Sequence, residues 1–151
     1  LPDRINRKVI RWASGKGIKK EKELKDFIVE KYNGVKMFVM NVEAFSTPRG
    51  TDAAEAFLYQ NPDNLVIVDE STTIKNRKAS RTKNITRLRR LSKYRRILTG
   101  SPITKSPMDL FSQCDFLNEK ALGFNSYFAF QARYANVQRK TMGHRSFQHT
   151  P

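Results

Sequence analysis

The chain has 151 residues, enough for a single domain with a real core. Its 29 Lys and Arg against 14 Asp and Glu leave a net charge of +15, which calls for a polyanionic partner. With 38% hydrophobic residues and no run near the roughly 20 apolar residues of a spanning helix, a membrane protein is excluded.

Along the chain, Val9-Ile10-Arg11-Trp12 reads as a short strand ahead of Ser14-Gly15-Lys16-Gly17. Residues 20–32 place Leu24, Phe27, Ile28 and Tyr32 at helical spacing, and 37–40 is an apolar run of strand length. Thr51 reads as the N-cap of a helix through Gln60 that turns Ala54, Phe57 and Leu58 inward. Leu65-Val66-Ile67-Val68, apolar at every position, suits a parallel strand buried on both faces. Residues 79–93 space Ile85, Leu88 and Leu91 at a near-helical interval, and 94–98 reads as a further strand closed by Thr99-Gly100-Ser101-Pro102. Pro107 takes the place of a first-turn proline ahead of a helix to Leu117. Phe124, Tyr127 and Phe128 share a helical face near Phe130 and Tyr134, able to stack on bases but more often a packing stripe. From Arg139 onward no periodicity is left, and those residues are expected to be loose.

Alternating strands and helices predict an α/β fold with a mostly parallel sheet flanked by helices. Ligands of such sheets gather at the carboxyl ends of the strands, here after 65–68 and after 94–98. The single Cys114 excludes an internal disulfide framework, and with His144 and His149 it makes a poor zinc set. The opening residues lack the apolar core of a secretory signal, so a soluble, cytoplasmic protein is expected.

Charge is distributed unevenly. Residues 1–36 hold 11 basic and 5 acidic side chains, 37–74 hold 1 and 6, 75–96 hold 11 and none, and 97–151 hold 6 and 3. A purely positive run repels itself unless something negative lies against it, and phosphate-backbone binding explains it better than a solvated helix face. Neutralising about five phosphates would give a log–log salt slope of about −4 to −5 on duplex DNA.

Asp69-Glu70 directly follows the apolar run, and two carboxylates at a strand end suit a magnesium–nucleotide site. One associates with the hard cation, and the other orients or deprotonates a water. An acid-capped strand end would read the same way, and 98–103 taken alone is just a turn.

Taken in order, these segments are more specific. Val66-Ile67-Val68-Asp69-Glu70-Ser71-Thr72 leads into Ile74-Lys75-Asn76, then Ser80 and Lys83, then Leu98-Thr99-Gly100-Ser101-Pro102-Ile103 and a helix ending Asp115-Phe116-Leu117. This resembles the Swi/Snf-type ATPases of helicase superfamily two over roughly residues 7–135, with details closest to helicase-like proteins of bacteria and phages. The resemblance implies a partial RecA-like (P-loop NTPase) lobe carrying a Walker B box of the DEAH kind, with ATP and Mg2+ as cofactors and DNA, bound without sequence preference, as partner. It implies Asp69 as the magnesium-associated carboxylate, Glu70 as the water-activating one, and Thr72, Thr99, Gly100 and Ser101 as the elements that couple nucleotide state to nucleic acid. It also places Asn41, Ser46, Lys75, Asn76, Arg77, Lys78, Arg81 and Lys83 near nucleic acid, and implies a bacterial or phage-infected cell as the setting. Ser71-Thr72 replaces the common Ala-His, so the link to the 98–103 loop must use a hydroxyl. Thr104-Lys105-Ser106 replaces the common Gln-Asn-Asn.

Gly15-Lys16-Gly17 is not a phosphate loop, because Ile10 stands where the first Gly belongs and Gly17 where Ser or Thr belongs. The resembling family carries that loop upstream and a second RecA-like lobe downstream. Residues 1–118 are therefore expected to be the later part of a first lobe, with 119–151 a helical extension. The chain is expected to be part of a longer motor, binding nucleic acid but hydrolysing negligible ATP by itself. The alternatives are a non-catalytic basic nucleic-acid-binding module with a degenerate motor fold, or a small ribosome-associated protein, which leaves the ordered boxes to chance.

Overall fold

The computed structural model describes residues 5–15 and 17–135, and the backbone of two further strands at 138–142 and 145–149. In chain order the elements are β1 (Arg7–Arg11), α1 (Ile18–Val29), β2 (Val35–Val39), α2 (Pro48–Gln60), β3 (Leu65–Val68), α3 (Ser80–Arg87), β4 (Tyr94–Ile97), α4 (Asp109–Leu117), α5 (Tyr127–Tyr134), β5 (Gln138–Met142) and β6 (Arg145–His149). Short 3-10 turns cover Val42–Ser46, Ser71–Ile74 and Leu88–Arg90. β1 pairs with β2 and β3 with β4, both in parallel, so the expected α/β class with parallel pairing holds.

The strands are packed on one face only. Val68 is buried, whereas Leu65 and Ile67 are 52% and 54% exposed, which corrects the expectation of a strand covered on both sides. Side chains alternate across a strand, and α2, α3 and α4 cover one face alone. The core between them and the strands is Phe45, Ala54, Leu58, Val68, Ile74, Ile85, Leu88 and Phe116, with the 3-10 turns supplying Phe45, Ile74 and Leu88. The opposite face bears Leu65, Ile67 and Tyr94 on one pair and Val9, Val35, Met37 and Val39 on the other, all exposed.

Helix boundaries differ from the expected ones for local reasons. α1 ends at Val29, which leaves Tyr32 beyond it. Its last carbonyls are met by Lys36 of β2, whose ammonium donates to the carbonyls of Ile28 (3.1 Å) and Glu30 (2.8 Å) and lies 5.0 Å from the Phe27 ring. A cation there complements the helix C-terminus, and burial lowers the Lys36 pKa below its ordinary value. α2 is capped by Thr47 rather than Thr51: the Thr47 hydroxyl accepts from the Gly50 amide, and Pro48 opens the helix. Thr51 is instead buried in the first turn, its hydroxyl donating to the Thr47 carbonyl at 3.1 Å. α3 stops at Arg87 and passes into a 3-10 turn rather than running to 93. Pro107 precedes α4 in a turn closed by the Asp109 amide on the Ser106 carbonyl.

The aromatic stripe packs inward only in part, since Phe128 and Tyr134 are exposed. Ser126 caps α5, leaving Phe124 outside the helix, and Phe130 is buried against Phe111 of α4 and against Phe124 and Tyr134. Tyr127 meets Phe111 edge-on. Within the stretch from 139 onward, expected to be loose, the described residues of β5 and β6 pair antiparallel, with Met142 opposite Arg145. His144 lies outside the described residues.

Gly50 marks the closest approach of two segments, since a Cβ there would stand 2.2 Å from the Ala44 carbonyl oxygen. Alanine is the better helix former, yet Gly50→Ala is expected to destabilise the chain by about 1–3 kcal/mol through overpacking. Urea unfolding of the two proteins measures this, and a stabilised variant would show that the turn at 42–46 yields freely.

Candidate functional site

β3 and β4 are in register from Leu65 opposite Tyr94 to Val68 opposite Ile97. The ladder runs on past both strands: the Leu98 amide donates to the Val68 carbonyl (2.9 Å), and the Ser71 amide to the Leu98 carbonyl (3.0 Å). Asp69-Glu70 and Thr99-Gly100-Ser101 therefore leave adjacent parallel strands at the same end, where α/β sheets build ligand sites. Both carboxylates are exposed. Glu70 is left-handed, with φ 47° and ψ 59°, costing about 1–2 kcal/mol for a residue with a Cβ. The Thr73 amide and hydroxyl both hold the Glu70 carbonyl, and the Asp69 carboxylate accepts from the Glu70 amide.

Behind this tip, the hydroxyl that reaches across is that of Ser71. It donates to the Gln113 side-chain oxygen at 2.6 Å, and the Gln113 amide donates to the carbonyls of Pro102 (2.8 Å) and Asp109 (2.7 Å). Ser71 and Gln113 are both fully buried, whereas Thr72, the expected coupling residue, is half-buried beside them. Gln113 was missed in the sequence. Its only signal is an uncharged amide among the inward residues of α4. In the bend itself, the Thr99 hydroxyl accepts from the Ser101 amide at 3.2 Å, and Gly100 is open to solvent.

A second tie lies alongside. Lys75 donates to the Thr104 hydroxyl and pairs with Asp109 at 3.9 Å. The Asp109 carboxylate also accepts from the Thr104 amide (2.9 Å), the Thr104 hydroxyl (2.7 Å) and the Lys105 amide (3.0 Å). Burial pushes its pKa up, but these hydrogen bonds and the Lys75 charge outweigh it and hold the carboxyl below its ordinary value.

The residues expected near nucleic acid are brought together only in part. Lys75 faces α4 as described. Arg77 lies over the Tyr127 ring at 4.1 Å and near Phe128 at 5.3 Å. The Asn76 side chain accepts from the Lys78 amide and shapes the loop. Arg81 reaches Glu43 at 4.0 Å, which sets it beside the 42–46 turn containing Ser46, with Asn41 exposed as its cap. Lys78 and Lys83 are exposed and have no ion-pair partner among the described residues.

Among the described residues, no three His, Cys, Asp or Glu side chains are grouped to hold a metal. The Asp69-Glu70 pair fits a hard cation that keeps its waters and takes oxygens from a phosphate ligand, as Mg2+ does. Open cavities among the described residues lie elsewhere. One of about 360 Å³ lies between β1 and α1 and is lined by Lys8, Lys19 and Glu23, and an apolar one of about 490 Å³ is lined by Ile28, Tyr59 and Leu91.

The profile of the SNF2-related domain matches residues 17–148. The chain belongs to the SNF2-related domain family. That domain is a RecA-like fold, in agreement with the parallel strand pairs and flanking helices. The chain is also 34% identical over 86 residues to the SWI/SNF-related matrix-associated actin-dependent regulator of chromatin subfamily A-like protein 1 of Drosophila melanogaster. The match covers 57% of the chain and 11% of that protein, so this SNF2-related chain spans a small part of its relative's length. The relative is an animal protein and lends no support to the expected bacterial or phage setting. No helix among the described residues is long and apolar enough to cross a membrane.

The depressed Asp109 carboxyl gives a pH dependence of definite sign. A group whose pKa is lowered on folding stabilises the fold above its unfolded value and loses that contribution as pH falls through the folded one. Stability is therefore expected to drop as pH falls below the ordinary carboxylate range near about 4, and Asp109→Asn should flatten that drop while being less stable at neutral pH. Urea midpoints from pH 2.5 to 7 measure both.

Proposed function

We propose that this SNF2-related chain forms part of an ATP-driven DNA translocase or helicase, supplying the Walker B and coupling segments of its first RecA-like lobe. The observation that carries this is the shared end of β3 and β4, with Asp69-Glu70 beside Thr99-Gly100-Ser101. In this reading Asp69 would hold Mg2+, and Glu70 would orient or deprotonate the attacking water. Bound Mg2+–ATP supplies the reacting phosphoryl group and its charge neutralisation. Thr99, Gly100 and Ser101 carry the nucleotide state toward nucleic acid, with Thr72 beside them. Residues 1–118 belong to the lobe, and 119–151 extend from it.

The bare apolar face of both parallel pairs supports this reading, since parallel sheets are ordinarily covered on both sides, here by further lobe sequence. No phosphate-cradling Gly-rich loop ending in Lys-Ser or Lys-Thr occurs in the sequence. The isolated 151-residue chain is expected to hydrolyse ATP at background rate with or without DNA. Robust steady-state turnover abolished by Glu70→Gln would overturn this.

Nucleic acid binds through Lys78, Lys83 and Arg81 beside Asn41 and Ser46, with Asn76 setting the loop. Lys75 and Arg77 are tied to α4 and α5 in the free chain, so about three to four phosphates are neutralised, for a salt slope of about −3 to −4 on duplex DNA. Titrating labelled duplexes at several salt concentrations measures the slope, and Lys78→Ala with Lys83→Ala should reduce its magnitude by about 2. A flat salt response would overturn phosphate-backbone binding both for this reading and for the alternative of a non-catalytic nucleic-acid-binding module.

A further inference from the structure

We infer that Gln113 is a positioning residue that binds the acidic end of β3 and the 99–104 bend into one rigid body. The inference rests on reading these two segments as rims of one nucleotide site, although the bonds themselves do not depend on it. Gln113 is 0% exposed, as is Ser71, and its amide is used on both sides. Its oxygen takes the Ser71 hydroxyl, and its nitrogen gives one hydrogen to Pro102 and the other to Asp109. The orientation of the amide is fixed by chemistry, because turning it over would set its oxygen against two carbonyl oxygens.

The bend has little else to hold it. Ser101, Pro102, Ile103 and Thr104 are all exposed, and the Thr99–Ser101 bond is internal to the bend. Lys75 and Asp109 secure Thr104 from one side, leaving Gln113 as the contact that joins Pro102 to the residue next to Glu70. An apolar side chain could fill this inward position of α4 without any desolvation cost. The amide instead adds directed bonds to two segments otherwise linked by the backbone ladder at Leu98 and by Lys75 on Thr104. Displacement of the bend is thereby transmitted to Ser71 and the carboxylates before it.

Hydrogen exchange on the full chain without nucleotide tests this, using Gln113→Leu, Ser71→Ala, the double variant and Gln113→Glu. Gln113→Leu should speed exchange of the hydrogen-bonded Ser101 and Thr104 amides by about tenfold or more relative to those of β3 and β4. The double variant removes the buried Ser71 hydroxyl that Gln113→Leu leaves without an acceptor, so it should regain stability over Gln113→Leu while the bend, still without a donor to Pro102, stays fast. Gln113→Glu keeps an acceptor for Ser71 but, when ionised, donates to neither carbonyl. Its bend should be fast at neutral pH and slow again once the carboxyl protonates, whereas Gln113→Leu shows no such slowing, since protonation of Asp109 at lower pH only loosens Thr104 further. Equal acceleration of bend and strands in every variant, or an unchanged bend in the double variant, would reduce Gln113 to a packing residue. Because nucleotide takes no part, an inactive motor would not alter either result.

Discussion

The register between β3 and β4 is the constraint on which the candidate site depends. Four-residue strands specify register weakly through their own side chains, and a slip of one residue would turn Val68 outward and carry Asp69-Glu70 away from the bend. The register is fixed from outside the strands. At one end the buried Asn64 donates to the carbonyls of Asn61 (2.8 Å) and Leu91 (2.9 Å) and accepts from the Lys93 amide, while its carbonyl takes the Tyr94 amide. At the other end the Ser71 amide closes onto Leu98 and the Ser71 hydroxyl onto Gln113. A side chain buried at each end thus sets how four apolar residues pair.

The acid-free run from 75 to 96 folds because its charges are met by carbonyls and by acids from other segments. Arg95 donates to the carbonyls of Leu117, Arg89 and Ser92, joining the end of α4 to the turn after α3. These are C-terminal carbonyls, where a cation is favoured. Arg89 pairs with Asp115 and Glu119, and Arg87 with Glu55 of α2. Exposed pairs such as Lys93–Asp63 are screened by solvent and contribute little, whereas Arg95 is half-buried among its carbonyls. What remains for a polyanion is a subset of the run rather than the whole of it.

The sequence made the central geometry legible because two independent signals coincided. An unbroken apolar run followed by two acids and a second strand followed by a small-residue turn both point to strand ends, and parallel pairing sets those ends together. The core positions Ile85, Leu88, Ala54 and Leu58 were legible from periodicity alone. The start of α2 was not, since it depends on Gly50 fitting under Ala44, a contact between segments that local spacing does not show. The exposed face of β3 was hidden because an all-apolar run reads as doubly buried whatever covers it. Ser71 and Gln113 were beyond reach for another reason: they stand 42 positions apart and only the fold pairs them.

The strain at Glu70 and the rigidity around it belong together. A left-handed residue with a side chain persists only where its neighbours over-determine the backbone. Here the Thr73 amide and hydroxyl hold the Glu70 carbonyl, the Asp69 side chain takes its amide, and Ser71 is pinned through both its amide and its hydroxyl. The turn this forces ends β3 abruptly, so that Glu70 is exposed while Ser71, one residue later, is fully buried. A relaxed extended residue at 70 would carry the chain onward along the strand, and Ser71 would lose its path to Gln113. The exposed carboxylates and the buried amide contact are thus two consequences of a single backbone angle.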